Sequence, residues 1–191
     1  MKATAIILCG GKSSRMGTNK ALIRFQGEKL INRTIRILKE LFCEIILVTN
    51  TPDVYSDQDV RIVTDIIPGA GALGGIFTGL FYAGCEYAFI CACDLPFLDK
   101  RFIEFMKSRI ERHDIVIPRS HDGLQPLYAF YSTRCLQKIE RQILRGDMKI
   151  TDFFKGLKVF EIPAETIAAF DPHDRIFFNI NTPEDMEKFP Q

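Results

Sequence analysis

Apolar positions along the chain alternate between short continuous runs and helical stripes. "TAIILC" (4–9) is a short apolar run that stops on glycine and reads as a buried strand. "EKLINRTIRILKEL" (28–41) places Leu30, Ile31, Thr34, Ile35 and Leu38 on one helical face, with Arg and Lys opposite. "EIILVTN" (44–50) and "VRIVTD" (60–65) read as strands rich in β-branched residues. "IIPGAGALGG" (66–75) is a glycine-rich loop leading into a helix of small residues over about 75–84. "YAFICACD" (87–94) is a buried strand that stops at an acid just before Pro96. "DKRFIEFMKSRI" (99–110) is an amphipathic helix with Asp99 as its N-cap. Strands follow at 114–118 and 125–132, then a helix near 134–145 that ends on Gly146. Late strands are expected at 158–163 and 177–181, and a closing helix at 182–189, capped by Thr182 with Pro183 in its first position.

Strands alternating with helices predict an α/β fold, a Rossmann-like three-layer sandwich whose mostly parallel sheet is covered on both faces. No repeat or low-complexity linker divides the chain, so one domain is expected over 1–191. In such sheets ligands sit beyond the carboxyl ends of the strands, near a topological switch point. Four strand ends carry polar groups there: the loop after residue 9, Asn50, Asp65 and Asp94.

Composition narrows the function classes. With 191 residues, the chain is long enough to bury a core without disulfide or metal staples. Twenty-five Lys+Arg against twenty-four Asp+Glu leave a formal charge of +1, which argues against nucleic acid as a partner. No apolar run approaches membrane-spanning length and no secretory pattern opens the chain, so no membrane partner and a cytoplasmic location are expected. The six cysteines are scattered apart from Cys91 and Cys93, which lack C-x-x-C spacing and read as reduced core thiols.

The first strand runs into "LCGGKSSRMGTNK" (8–20), with three glycines, three cations and no acid. That composition suits an anion. A Walker A motif fails because its leading glycine would fall at Ile6, inside the strand. A dinucleotide fingerprint fails because no glycine follows the pair until Gly17. What remains is a glycine pair whose N–H groups can approach a phosphate, with Arg15 as a planar fork and Lys20 as a point charge. Asp94 suits Mg²⁺, which prefers one or two carboxylates plus phosphate oxygens. Together they suggest a nucleoside triphosphate and a metal.

The loop resembles the L-A-G-G-x-S-x-R-M-G-x-x-K signature of the molybdenum cofactor guanylyltransferases, nucleotidyltransferases of the glycosyltransferase-A-like superfamily. The resemblance continues through "GALGGI" (71–76), "CDLPFL" (93–98), "QPLYAFY" (125–131) and "NINTPED" (179–185), in the expected order. It implies transfer of GMP from GTP to the terminal phosphate of molybdopterin (Mo-molybdopterin), with Mg²⁺ as cofactor. By the same resemblance Leu8, Cys9, Gly10, Gly11 and Lys20 contact GTP, and Asn50 and Asp65 complete the nucleotide site. Asp94 would bind both GTP and Mg²⁺, and Arg15 would face the phosphates, making Arg15, Lys20 and Asp94 the catalytic set. Gly75, Gln125, Asn179 and Asn181 would lie on the acceptor side. Molybdoenzymes or other cofactor-handling proteins would be further partners.

Two departures stand out: Cys9 replaces the usual alanine, and Ala72 and Gly74 replace the proline and alanine of "GPLAGI". Gln125 and Tyr128 offer polar groups on an otherwise apolar strand, after Arg119 and His121, and read equally as pterin contacts or as a strand-edge amide and a core tyrosine. "RSHDG" (119–123) reads as a turn with exposed charges. Competing readings are cytidylyl transfer to molybdopterin, nucleotidyl transfer to a phospho-alcohol, and a non-catalytic nucleotide-binding chaperone. The doubled glycine favours guanine by family analogy.

Overall fold

The computed structural model describes residues 1–10, 23–180 and Asp185. Ten strands and five α-helices are described: β1 (Thr4–Leu8), β2 (Arg24–Phe25), β3 (Glu28–Lys29), α1 (Leu30–Lys39), β4 (Glu44–Val48), β5 (Arg61–Val63), α2 (Gly71–Tyr82) and β6 (Tyr87–Ala92). There follow α3 (Lys100–Lys107), β7 (Ile115–Ser120), β8 (Gly123–Leu124), β9 (Tyr128–Ser132), α4 (Leu136–Leu144), β10 (Val159–Ile162) and α5 (Ala164–Ala168). The central sheet runs β10-β7-β9-β6-β1-β4-β5, with β8 paired to β7. β1, β4, β5 and β6 pair in parallel, as do β7 and β10, whereas β9 lies antiparallel to both β6 and β7.

Period-two alternation sorts the strand side chains into two cores. Ala5, Ile7, Leu47, Phe89, Cys91 and Phe130 face one side, where α1, α3 and α5 bring Ile35, Leu38, Phe102, Met106 and Ile167. Ile6, Leu8, Ile46, Ile90, Ile117 and Tyr131 face the other, against Leu73, Ile76 and Leu80 of α2 and Ile139 and Ile143 of α4. The three-layer α/β architecture expected from the pattern is therefore present. Asp99 caps α3 as expected, its carboxylate accepting from the Phe102 N–H at 2.8 Å.

Three expectations need correction. α2 begins at Gly71, so Gly71, Gly74 and Gly75 of the expected loop lie inside the helix, and only Gly69 precedes it. Packing explains this, because a Cβ at Gly79 would stand 2.5 Å from Ile6 Cγ2 and one at Gly75 would stand 3.2 Å from Leu8 Cδ2. Absent side chains let the helix backbone lie on β1, and that tertiary contact outweighs the poor helix propensity of glycine. Residues 177–180 form no strand. Phe178 and Ile180 instead join Phe25, Leu30 and Phe97 in a small satellite core. The strand expected from 125 starts at Tyr128, because Pro126 lacks an N–H and the Tyr128 N–H closes a turn on the Gln125 carbonyl at 3.0 Å. The closing helix lies outside the described residues except for Asp185, which is helical.

Candidate active site

β1 has β4 on one side and β6 on the other, and the chain leaves it first toward β4 and only later returns to β6. The crevice between the carboxyl ends of β1 and β6 is thus a switch point. Leu8 pairs with Val48 and Ala92 in register, so Cys9 and Gly10 emerge beside Cys93 and Asp94. Backbone bonds extend both ladders into the crevice: the Cys9 N–H donates to the Val48 carbonyl at 2.9 Å, and the Cys93 N–H to the Leu8 carbonyl at 3.3 Å. Gly10 is exposed while Leu8 and Cys9 are buried, which leaves backbone rather than side chains to meet a ligand at this strand end.

Asp94 is half-buried, and its Oδ1 is shielded from solvent. Its carbonyl accepts from the Ile180 N–H at 3.0 Å, which sets exposed Asn179 next to the aspartate turn. Gly75 lies under the β1 end, against Leu8. Asn50 and Asp65 follow β4 and β5, and the Asn50 Nδ2 donates to the Asp65 Oδ2 at 2.8 Å. Gln125 lies three residues before Tyr128, which pairs with Cys91, itself three residues before Asp94. Its Nε2 donates to the Ser120 Oγ at 2.8 Å. Leu8, Cys9, Gly10, Gly75, Asp94 and Asn179 are therefore brought together, with the Asn50–Asp65 pair to one side and Gln125 to the other. Gly11, Arg15, Lys20 and Asn181 lie outside the described residues.

Burial pushes the Cys9 thiol well above its usual range, aided by its hydrogen bond with Cys93. Burial likewise raises Cys91. Cys9, Cys91 and Cys93 are all free, as the sequence reading expected, and the first two are held as neutral thiols behind the crevice. They add no negative charge where an anion would bind. Tyr128 is a core tyrosine, its hydroxyl buried and its acidity suppressed by burial.

One positioning residue was not visible in the sequence. Arg33 of α1 donates through Nε to the Pro96 carbonyl at 3.0 Å, and its guanidinium lies 5.9 Å from the Phe25 ring centroid. Phe25 in turn packs edge-on against Phe97 at 5.5 Å. These contacts tie the turn after Asp94 to the β2–β3 hairpin. The bond bridges 63 positions of sequence, so no local pattern announces it.

A parallel α/β sheet with a glycine-ended first strand and an acid across the switch point defines a nucleotide-binding domain. The profile of the MobA-like NTP transferase domain matches residues 5–161, and the chain belongs to that family. It is 42% identical over 187 residues to a molybdenum cofactor guanylyltransferase from Desulfosudis oleivorans, covering 97% of this chain and 93% of that protein. It is 35% identical over 188 residues to the protein of the same name from Syntrophotalea carbinolica, covering 97% and 90%. The crystal structure of molybdopterin-guanine dinucleotide biosynthesis protein A from Archaeoglobus fulgidus superposes with a TM-score of 0.83 at 28% identity, covering 97% of this chain and 95% of that one.

Proposed function

We propose that this chain transfers GMP from GTP to the terminal phosphate of molybdopterin, giving molybdopterin guanine dinucleotide and pyrophosphate. The observation that carries the reading is the convergence of the β1 strand end, Asp94 and Asn179 at the switch point, in a chain whose full-length relatives bear the guanylyltransferase name. The nucleotide lies toward β4 and β5. Guanine presents adjacent N1–H and 2-amino donors, which a carboxylate such as Asp65 can accept together. Cytosine places an acceptor in that edge, which a carboxylate opposes.

The acceptor phosphate needs no general base. A phosphomonoester has its second pKa near ~6, so it is already nucleophilic at neutral pH. The difficulty is charge, because a dianion must approach a polyanion. Arg15 and Lys20 are the cations for that task, and Asp94 is the residue that would hold Mg²⁺. The donor set fits that ion: Asp94 brings one carboxylate, its Oδ1 shielded from solvent, to the switch point, and Mg²⁺ favours one or two carboxylates with phosphate oxygens. When bound, Mg²⁺ would screen the triphosphate and stabilise the leaving pyrophosphate. Backbone bonds from Cys93 to Leu8 and from Ile180 to Asp94 hold the Asp94 main chain at the crevice. Among the described residues no helix is long and apolar enough to cross a membrane.

The test is incubation with GTP or CTP, Mg²⁺ and metallated molybdopterin, read as dinucleotide product and released pyrophosphate. Product from GTP alone is expected. Preferential use of CTP would transfer the chain to cytidylyl chemistry, and the absence of pyrophosphate with either nucleotide would leave only a binding role.

A further inference from the structure

A second opening lies on the far side of Asp94 from Asn50 and Asp65. The β7–β8 turn, α5 and the following turn enclose a cleft of about 180 Å³. Ile167 and Pro172 contribute apolar surface, and Ser120, His121, Asp171 and Asp174 contribute polar groups. That mixture suits a flat heterocycle, which needs apolar contact on its faces and a few placed partners at its edge. The volume is small for a whole nucleotide.

Its place along the sheet matters as much as its lining. Ser120 ends β7, two strands from β6 in the order β7-β9-β6, so the sheet edge of the cleft stands about 10 Å from the β6 end that leads into Asp94, at the usual strand spacing. Gln125, on the intervening strand connection, hydrogen-bonds Ser120. The segment from Asp171 to Ile180 runs from the cleft back to Asp94, where the Ile180 N–H meets the Asp94 carbonyl. A fused pyranopterin has a comparable reach from its amino end to its phosphate. With its phosphate at Asp94, its ring would arrive at this cleft.

The two acids differ. Asp171 Oδ2 accepts from the N–H groups of Arg175 and Ile176, both at 2.6 Å, and so closes the turn. Asp174 is exposed, sits at φ 53°, and among the described residues its carboxylate has no partner. A pterin carries adjacent 2-amino and N3–H donors, an edge that one carboxylate accepts with both oxygens. Resting on the guanylyl-transfer reading, we propose that this cleft holds the pterin ring of the acceptor and that Asp174 reads its amino-pyrimidinone edge. Guanine shares that edge, but the β4–β5 side already offers Asp65 to it. The two substrates then approach from opposite wings of the sheet and meet phosphate to phosphate at Asp94.

Asp174→Asn tests the assignment, since asparagine keeps the size, tolerates the left-handed backbone and replaces one acceptor with a donor. The KM for metallated molybdopterin should rise about tenfold or more, with the KM for GTP unchanged. Binding of 6-hydroxymethylpterin, followed by fluorescence quenching, should saturate in the unaltered protein and weaken by a similar factor in the variant. Unchanged molybdopterin KM together with unchanged pterin binding overturns the proposal. A rise in the GTP KM instead would assign the cleft to guanine and also overturn it. If the unaltered protein makes no dinucleotide, the guanylyl-transfer reading fails, and the pterin titration alone still decides the cleft: saturable, Asp174-dependent binding supports it, and no binding sinks it.

Discussion

Backbone hydrogen bonds hold the Asp94 main chain at the crevice. The strand before it is locked to β1, the Cys93 N–H reaches the Leu8 carbonyl, and the Ile180 N–H reaches the carbonyl of Asp94 itself. None of these bonds uses the carboxylate. Asp94→Ala should therefore keep its far-ultraviolet circular dichroism and urea midpoint close to those of the unaltered protein. Its Mg²⁺-dependent turnover should fall by at least about 10²-fold, the scale of losing one preorganised electrostatic group. Near-normal turnover would remove Asp94 from the metal assignment. Cys9, the unusual letter of the loop, is explained by the same backbone logic: its N–H is spent on Val48 and its thiol is buried and neutral.

Among the elements, α2 shows how packing overrides local preference. Gly75 and Gly79 set the helix directly on Leu8 and Ile6 of β1. Gly74 is equally constrained, for a Cβ there would stand 2.8 Å from Ala70 Cβ and 3.2 Å from the Ile67 carbonyl. Its departure from the alanine of "GPLAGI" accompanies a turn folded tightly onto the helix. Gly79→Ala should cost about 1–3 kcal/mol of stability in urea unfolding, the usual penalty for overpacking. Combined with Ile6→Ala, which removes the Cγ2 and Cδ1 that a Cβ at position 79 would meet, the loss should be smaller than the sum of the two single losses. Additive losses in the double variant would show that the contact is not the cause.

The same elements show what the sequence could reveal. β1, β4 and β6 were legible because apolar runs bounded by polar residues leave few alternatives, and Asp99 because a cap acts within one turn. α2's start was misread because glycine signals a loop unless the strand beneath is known. Residues 177–180 were misread because Phe178 and Ile180 satisfy their apolar surface in a satellite core that no periodicity describes. Asn50 and Asp65 were found as strand ends, yet their hydrogen bond depended on β4 and β5 being neighbours. The cleft was hidden for a similar reason, since its lining comes from three separate stretches: the β7–β8 turn, α5 and the turn after it.

For the molecule as a whole, buried thiols set an alkaline limit. Burial holds Cys9 and Cys91 protonated and pushes Cys135 up to about 12. In the unfolded chain such thiols titrate near about 8.5. Below that pH both states keep the proton and stability is unaffected. Above it the unfolded chain releases protons that the folded chain retains, so stability falls as pH rises, by at most about 1.4 kcal/mol per thiol per pH unit. The urea midpoint should decline between about pH 8.5 and pH 10, and the decline should be shallower in Cys9→Ala/Cys135→Ala. An identical slope in that variant would place the effect elsewhere.

The antiparallel β9 has a consequence for the order in which the protein is made. β1, β4, β5 and β6, which carry the crevice between Gly10 and Asp94 and the Asn50–Asp65 pair, are all synthesised by Ala92. β7 is made next but has no place beside β6; it joins the sheet only through β9, whose last residue is Ser132. On a growing chain this half is thus complete in sequence while the other half still lacks the strand that attaches it. The seam between the halves is the last part of the central sheet to find its neighbours before β10 closes the edge.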